Sequence, residues 1–269
     1  MCESSKGVLA LIIIGDQRAI VFNIRLYGSL TLFNRMPLTL WENKMQPRSL
    51  AILVVILPLL ASNGAFLLSA YEGFVPWCMP YIDGCTTISQ AGRSGDTIFF
   101  YRALVFPYSV LLILFWMYSR EWLELLHGHT TNSAQVILWL GVAGSIALLV
   151  YIDFLGTTGE INRLMRRIGA MLYFTLIPLA QSLMLYQHYK LLRSKPEVSI
   201  RPKVLQYQLI IIMLMLIIGI TSLIFVLTGK NTSEIENIVE WNFSLLVNLY
   251  FAGMVLIWKD YRHLFAISN

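Results

Sequence analysis

Four ionisable residues of this chain lie inside or at the ends of long apolar runs: Arg102, Asp153, Arg167 and Glu240. A charge placed there is costly unless something partners it, so each marks either a structural pair or a site. Two acids and two arginines can neutralise one another, which is a purely structural use. The functional use is a polar pocket in which Arg102 and Arg167 hold a zwitterionic or anionic headgroup. A catalytic use needs a nucleophile or a general base within reach of that pocket, and Ser89 and Asp153 are the residues available. Other chemistry is poorly represented. The chain carries no GxSxG elbow, no Gly-rich phosphate loop and no acid pair on one helix face. Its four histidines form neither HExxH nor HxxxH and its three cysteines form no CxxC, so neither a metal site nor a cofactor is expected. Cys78 and Cys85 can close a small loop as a disulfide or stand as two free thiols.

The elements that must position these residues are transmembrane helices. Hydrophobic residues make up 57% of the 269 and charged residues only 13%, with a mean hydropathy of +0.66. A soluble domain carries about 25% charged residues because water must wet its surface. Runs near 20 apolar residues, the length that crosses ~30 Å of hydrocarbon, place spans at Leu50 to Tyr71, Phe99 to Tyr118, Val136 to Leu155, Ile168 to His188, Val204 to Leu227 and Ile238 to Trp258. The expected fold is therefore all-α, a six-helix polytopic membrane bundle occupying residues 45–269.

The net charge of +5 is not a nucleic-acid footprint, because its cations sit in short connections beside the spans. Lys190, Arg193, Lys195, Arg201 and Lys203 mark the connection between spans four and five as cytosolic. Lys44 and Arg48 before span one, and Lys259 and Arg262 after span six, fall on the same side, so both termini are expected to be cytosolic. Glu234, Glu236 and Glu240 against Lys230 assign the last connection to the outer side. One connection dissents: Arg163, Arg166 and Arg167 place three cations in a segment assigned to the outside.

Residues 1–44 contain an apolar stretch, Gly7 to Ile14, too short to span. With no basic n-region or cleavage site it does not read as a signal peptide. The expectation is an extension outside the functional chain, which would start near Met45; the alternative is an amphipathic arm at the cytosolic surface. Asn231-Thr232-Ser233 is a glycosylation sequon, His127-Gly128-His129 reads as a solvated turn, and Pro107 and Pro178 are expected to kink their spans.

The first loop carries the string Pro80-Tyr81-Ile82, then Ile88-Ser89-Gln90-Ala91-Gly92, then Ile98-Phe99-Phe100. Arg167-Ile168-Gly169-Ala170 stands at the start of span four, and Asn237-Ile238-Val239-Glu240-Trp241 opens span six. In order and spacing these motifs resemble the first loop and the starts of spans four and six in the Frag/DRAM/Sfk family of six-span membrane proteins. The resemblance runs from about Leu50 to Arg262. Gln90 departs from the family's usual acid, and Arg166-Arg167 stands near the family's histidine. The positions carried over are Ser89, Gly92, Gly169, Ala170, Glu240 and Trp241, with Gly169 and Ala170 expected to allow close helix packing. The family is associated with remodelling of GPI-anchor lipids, with phospholipid asymmetry and phosphoinositide signalling, and with autophagy at lysosomes.

The resemblance thus implies a non-enzymatic regulator of membrane lipid organisation or remodelling. Its polar pocket would face outward and be built from Ser89, Arg102, Asp153, Arg167, Glu240 and Trp241. Membrane lipids, and other membrane proteins, are the expected partners, in the plasma membrane or an endomembrane such as the Golgi or lysosome. An intramembrane lipid-modifying enzyme is the alternative. A small transporter or receptor is the third reading: against transport, the two halves show no inverted repeat, and against a seven-span receptor, the N-terminal apolar stretch is too short for a seventh helix.

Overall fold

A computed structural model describes residues 46–194 and 200–260. The expectations for residues 1–44, and the basic residues Lys195 and Arg262, lie outside the described residues. All regular structure described is helical: α1 (Pro47–Tyr71), α2 (Pro80–Asp83), α3 (Ile88–Ala91), α4 (Thr97–His127), α5 (Asn132–Asp153), α6 (Glu160–Ser194), α7 (Pro202–Leu227), α8 (Ser233–Ile257) and a closing 3₁₀ turn, Trp258–Asp260. Six of these, α1 and α4 to α8, are long and apolar enough to cross a membrane, so the chain is an integral multi-pass membrane protein.

The helix starts follow local chemistry. Proline, whose missing N–H costs nothing in a first turn, opens α1, α2 and α7. Threonine caps three others: Thr87 accepts from the Gln90 amide at 2.8 Å, Thr131 from Ala134 at 3.2 Å and Thr232 from Ile235 at 3.4 Å. Gly128 ends α4 in the left-handed conformation, φ 81°, so His127-Gly128-His129 is indeed a turn. The helices outrun the apolar windows read from the sequence. α4 has 31 residues and α6 has 35, because a helix continues past the hydrocarbon wherever its polar residues meet water. One consequence corrects the sequence reading: Arg163, Arg166 and Arg167 are not in a connecting loop but in the first turns of α6, spaced to share one face.

Consecutive long helices pack side by side, and α1 also packs on α8, which closes the bundle. Gly169 sets the tightest of these approaches. A Cβ at this position would lie 2.7 Å from the Ala147 carbonyl oxygen and the Tyr151 amide, so only glycine lets α6 seat directly on the α5 backbone. The core is aromatic at the end opposite the first loop, where Phe115, Trp116 and Phe251 pack edge to face and Trp258 lies tilted on Phe115. Alternation of six helices puts the 72–96, 154–159 and 228–232 segments at one end, called here the first-loop end. A broad band of apolar side chains faces outward, most completely on α7 beyond Met215. That is the surface lipid requires.

Candidate functional site

The first loop is folded down onto α8 rather than projecting from the membrane. Trp241 is buried and donates its indole N–H to the Thr86 carbonyl at 2.8 Å. Asn237 donates to the Gly84 carbonyl at 2.7 Å, and Asn242 to the Tyr81 carbonyl at 2.8 Å. Gly84 adopts φ +60° directly against the Glu234 carbonyl, leaving no room for a side chain. Cys78 and Cys85, with Cα atoms 6.6 Å apart, form a disulfide that closes this segment. The Tyr81 hydroxyl donates to Asn63 at 3.1 Å on α1; burial pushes this phenol above its ordinary pKa, and the hydrogen bond opposes the shift.

Beneath the folded loop, α1, α4, α5, α6 and α8 enclose a cavity of about 1090 Å³. This is at or above the usual range for pockets that take small molecules. Its mouth carries Arg93 of the first loop and Arg163, Arg166 and Arg167 of α6. Thr157, Thr158 and Gly159 of the 154–159 connection also line it. Two acids, Glu236 and Glu240, stand on the α8 wall, so the cations exceed the acids by two. Among the described residues none of the four arginines forms an ion pair, and like charges gathered at one mouth make it attractive to an anion. The Glu240 carboxylate faces the backbone amides of Ile88 and Ser89 at the start of α3, so it holds the loop as well as lining the cavity.

Deeper in, four phenols point into the cavity, from Tyr101 and Tyr108 on α4, Tyr151 on α5 and Tyr173 on α6. The Tyr108 and Tyr173 hydroxyls are 3.1 Å apart, and Tyr151 lies against Ser89 and Tyr101. Val105, Leu148, Ala170 and Phe174 supply the apolar part of the wall. Tyr108 is eleven residues past Thr97, so the cavity descends roughly 16 Å along α4, about half of a ~30 Å hydrocarbon core. α6 and α8 touch at the deep edge of the cavity, where Phe174, part of its lining, meets Phe243 with ring centroids 5.9 Å apart. Above that contact they form facing walls, and Met171 on the cavity rim is 59% exposed, so the cavity reaches the bundle's lipid-facing surface there.

The residues singled out from the sequence divide into two groups. Ser89, Arg167 and Glu240 line the cavity. Arg102, Asp153 and Trp241 do not. The Arg102 guanidinium donates to the backbone carbonyls of Asp153 at 3.0 Å and Leu155 at 2.7 Å, capping the C-terminal end of α5. Asp153 itself is exposed. The alternative in which the four charges neutralise one another is not realised among the described residues, since no ion pair joins any of them. Ala170, expected to allow close helix packing, packs against the core and also lines the cavity. Sequence reasoning missed the tyrosines, Arg93 and Arg163; the unexplained cation-rich stretch ahead of span four was the available signal. Among the described residues no group of three His, Cys, Asp or Glu is placed to hold a metal ion.

Comparison of the chain with family models, with curated proteins and with solved structures finds no match.

Proposed function

We propose that this protein is a non-enzymatic, lipid-associated membrane regulator that holds an anionic lipid headgroup in the cavity at its first-loop end. The observation that carries this reading is the pairing of an arginine-rich mouth with a half-apolar interior inside a membrane-spanning bundle. A phosphate-bearing headgroup matches the four arginines, which present planar donors suited to phosphate oxygens. The interior and the rim at Met171 offer an acyl chain a path to the surrounding bilayer. The phenols and Glu240 add hydroxyl-directed hydrogen-bonding groups, which favours a headgroup with hydroxyls of its own.

The likeness of the first-loop, Arg167–Ala170 and Asn237–Trp241 motifs to the Frag/DRAM/Sfk family supports the same assignment, with a role in lipid organisation or remodelling in the plasma membrane or an endomembrane. In this reading both termini are cytosolic and the cavity faces the outer leaflet. The arginines of α6, which conflict with the positive-inside count, are then retained for the ligand rather than for orientation.

The test is native mass spectrometry of the purified full chain titrated with dioleoylphosphatidylglycerol and, separately, dioleoylphosphatidylcholine. R163Q/R166Q/R167Q is expected to weaken retention of the anionic lipid at least tenfold, since each charged hydrogen bond contributes about 1.5–3 kcal/mol. Equal retention of the anionic lipid by wild type and triple variant overturns the proposal.

A second reading draws on Ser89, whose hydroxyl lies by Tyr151 and whose backbone amide meets the Glu240 carboxylate. A lipid-modifying enzyme would use those residues, and not Asp153, which lies off the cavity. Lipid turnover by wild type that is abolished in S89A would favour it.

A further inference from the structure

A second recess lies at the opposite end of the bundle, between the last turns of α6 and the first half of α7, with a volume of about 720 Å³. Four polar anchors, two on each helix, point away from it. On α7, Tyr207 donates to the Leu249 carbonyl at 2.9 Å and Gln208 to the Tyr250 carbonyl at 3.4 Å. On α6, Gln181 donates to the Val247 carbonyl at 3.0 Å, and His188 accepts from the Trp122 indole at 3.1 Å. Each helix therefore turns its polar groups toward α8 or α4, and the outward flank between α6 and α7 is left as a groove.

The groove has a graded lining. Leu185, Leu209 and Ile212 make its walls apolar, and Lys190 and Arg193 stand at its outer end. Among the described residues neither cation forms an ion pair. Tyr186, 62% exposed, also borders it, in keeping with the preference of tyrosine for the headgroup level. From Ser182 at the deep end to Ser194 at the charged end is twelve residues of α6. That is roughly 18 Å of helix, against about 15 Å for the hydrocarbon of one leaflet. Length, apolarity and the position of the charge fit one acyl chain with its anionic headgroup.

We infer that this groove is a second lipid site, holding one anionic phospholipid of the leaflet opposite the cavity, with its phosphate on Lys190 and Arg193 and one chain along Leu185, Leu209 and Ile212. Basic recesses between transmembrane helices are suited to such headgroups. The site does not rest on the cavity reading, since the two share no residue.

The experiment counts tightly held dioleoylphosphatidylglycerol molecules on the full chain in detergent by native mass spectrometry. K190Q/R193Q is expected to lose one bound lipid, with at least tenfold weaker retention at that site, and R163Q/R166Q/R167Q to lose a different one. Leu209→Trp, which fills the groove and keeps both cations, is expected to lose the same lipid as K190Q/R193Q, while K190R/R193K retains it. Competition by millimolar glycerol phosphate is expected to be absent; displacement by it would assign the cations to a soluble phosphate and overturn the inference. Unchanged lipid counts in both K190Q/R193Q and Leu209→Trp would overturn it too, whatever the α6 arginine variant does.

Discussion

The Arg102 guanidinium sits 2.7 Å from the Leu155 carbonyl oxygen, so an arginine at the start of α4 closes the end of α5 rather than facing a ligand. A helix C-terminus carries partial negative charge and carbonyls with no intrahelical partner, and a guanidinium satisfies both. Arg102→Ala is therefore expected to destabilise the bundle by about 2 kcal/mol, within the range for charged hydrogen bonds. Thermal unfolding in detergent should fall while affinity for anionic lipid stays unchanged below the transition. Weakened lipid retention with unchanged unfolding would contradict this division of roles.

Gly169 offers a steric test of the same end of the molecule. Its alanine variant would drive a Cβ to within 2.7 Å of the α5 backbone, and overpacking of this kind typically costs about 1–3 kcal/mol. Because Arg163, Arg166 and Arg167 ride on the same helix, G169A is expected to weaken anionic-lipid retention together with stability. A variant that loses stability but keeps full lipid affinity would show that the cavity mouth does not depend on the α5–α6 approach.

Trp241→Phe keeps most of the ring packing against Tyr81 and Phe66 but removes the indole donor to Thr86. The loss of one buried hydrogen bond, with the Thr86 carbonyl left unpaired, is expected to cost about 1–3 kcal/mol. Hydrogen exchange should rise across residues 84–92 first. Uniform exchange across the whole chain, with no excess in that segment, would contradict the anchoring role.

The Cys78–Cys85 link closes a short loop. By chain entropy such a link is expected to contribute about 2–3 kcal/mol. C78S/C85S should unfold at lower temperature, and wild type, whose Cys2 stands outside this pair, should rise from one reactive thiol to three on reduction. Three thiols labelled in the unreduced protein would refute the bond.

Tyr108 and Tyr173 supply the last test. Their hydroxyl contact at 3.1 Å ties α4 to α6 across the cavity floor. A double-mutant cycle with Y108F and Y173F is expected to return a coupling of about 0.5–1.5 kcal/mol. Strictly additive effects would mean that the two phenols act independently.

The number, order and approximate limits of the six spans were legible in the sequence, because apolar length is a property of a local stretch of chain and the bilayer demands a set length. The dissenting arginines ahead of span four were legible as an anomaly, and Ser89, Arg167 and Glu240 as residues near one end. Hydropathy could not show that α6 begins at Glu160, since helical structure outside the hydrocarbon leaves no apolar signature. Nor could it separate Arg167, which faces the cavity, from Arg102, which caps a neighbouring helix. Both are arginines at the ends of spans, and their roles differ only through which helix stands beside each. The four tyrosines were invisible for the same reason, being ordinary core aromatics until α4, α5 and α6 bring their hydroxyls to one space. The sequence by itself determined a six-span membrane protein with an excess of positive charge at an unexpected place. Only the tertiary structure decided that this charge rims a cavity, because the cavity is made of side chains from five long helices and the folded first loop, whose mutual placement no local pattern records.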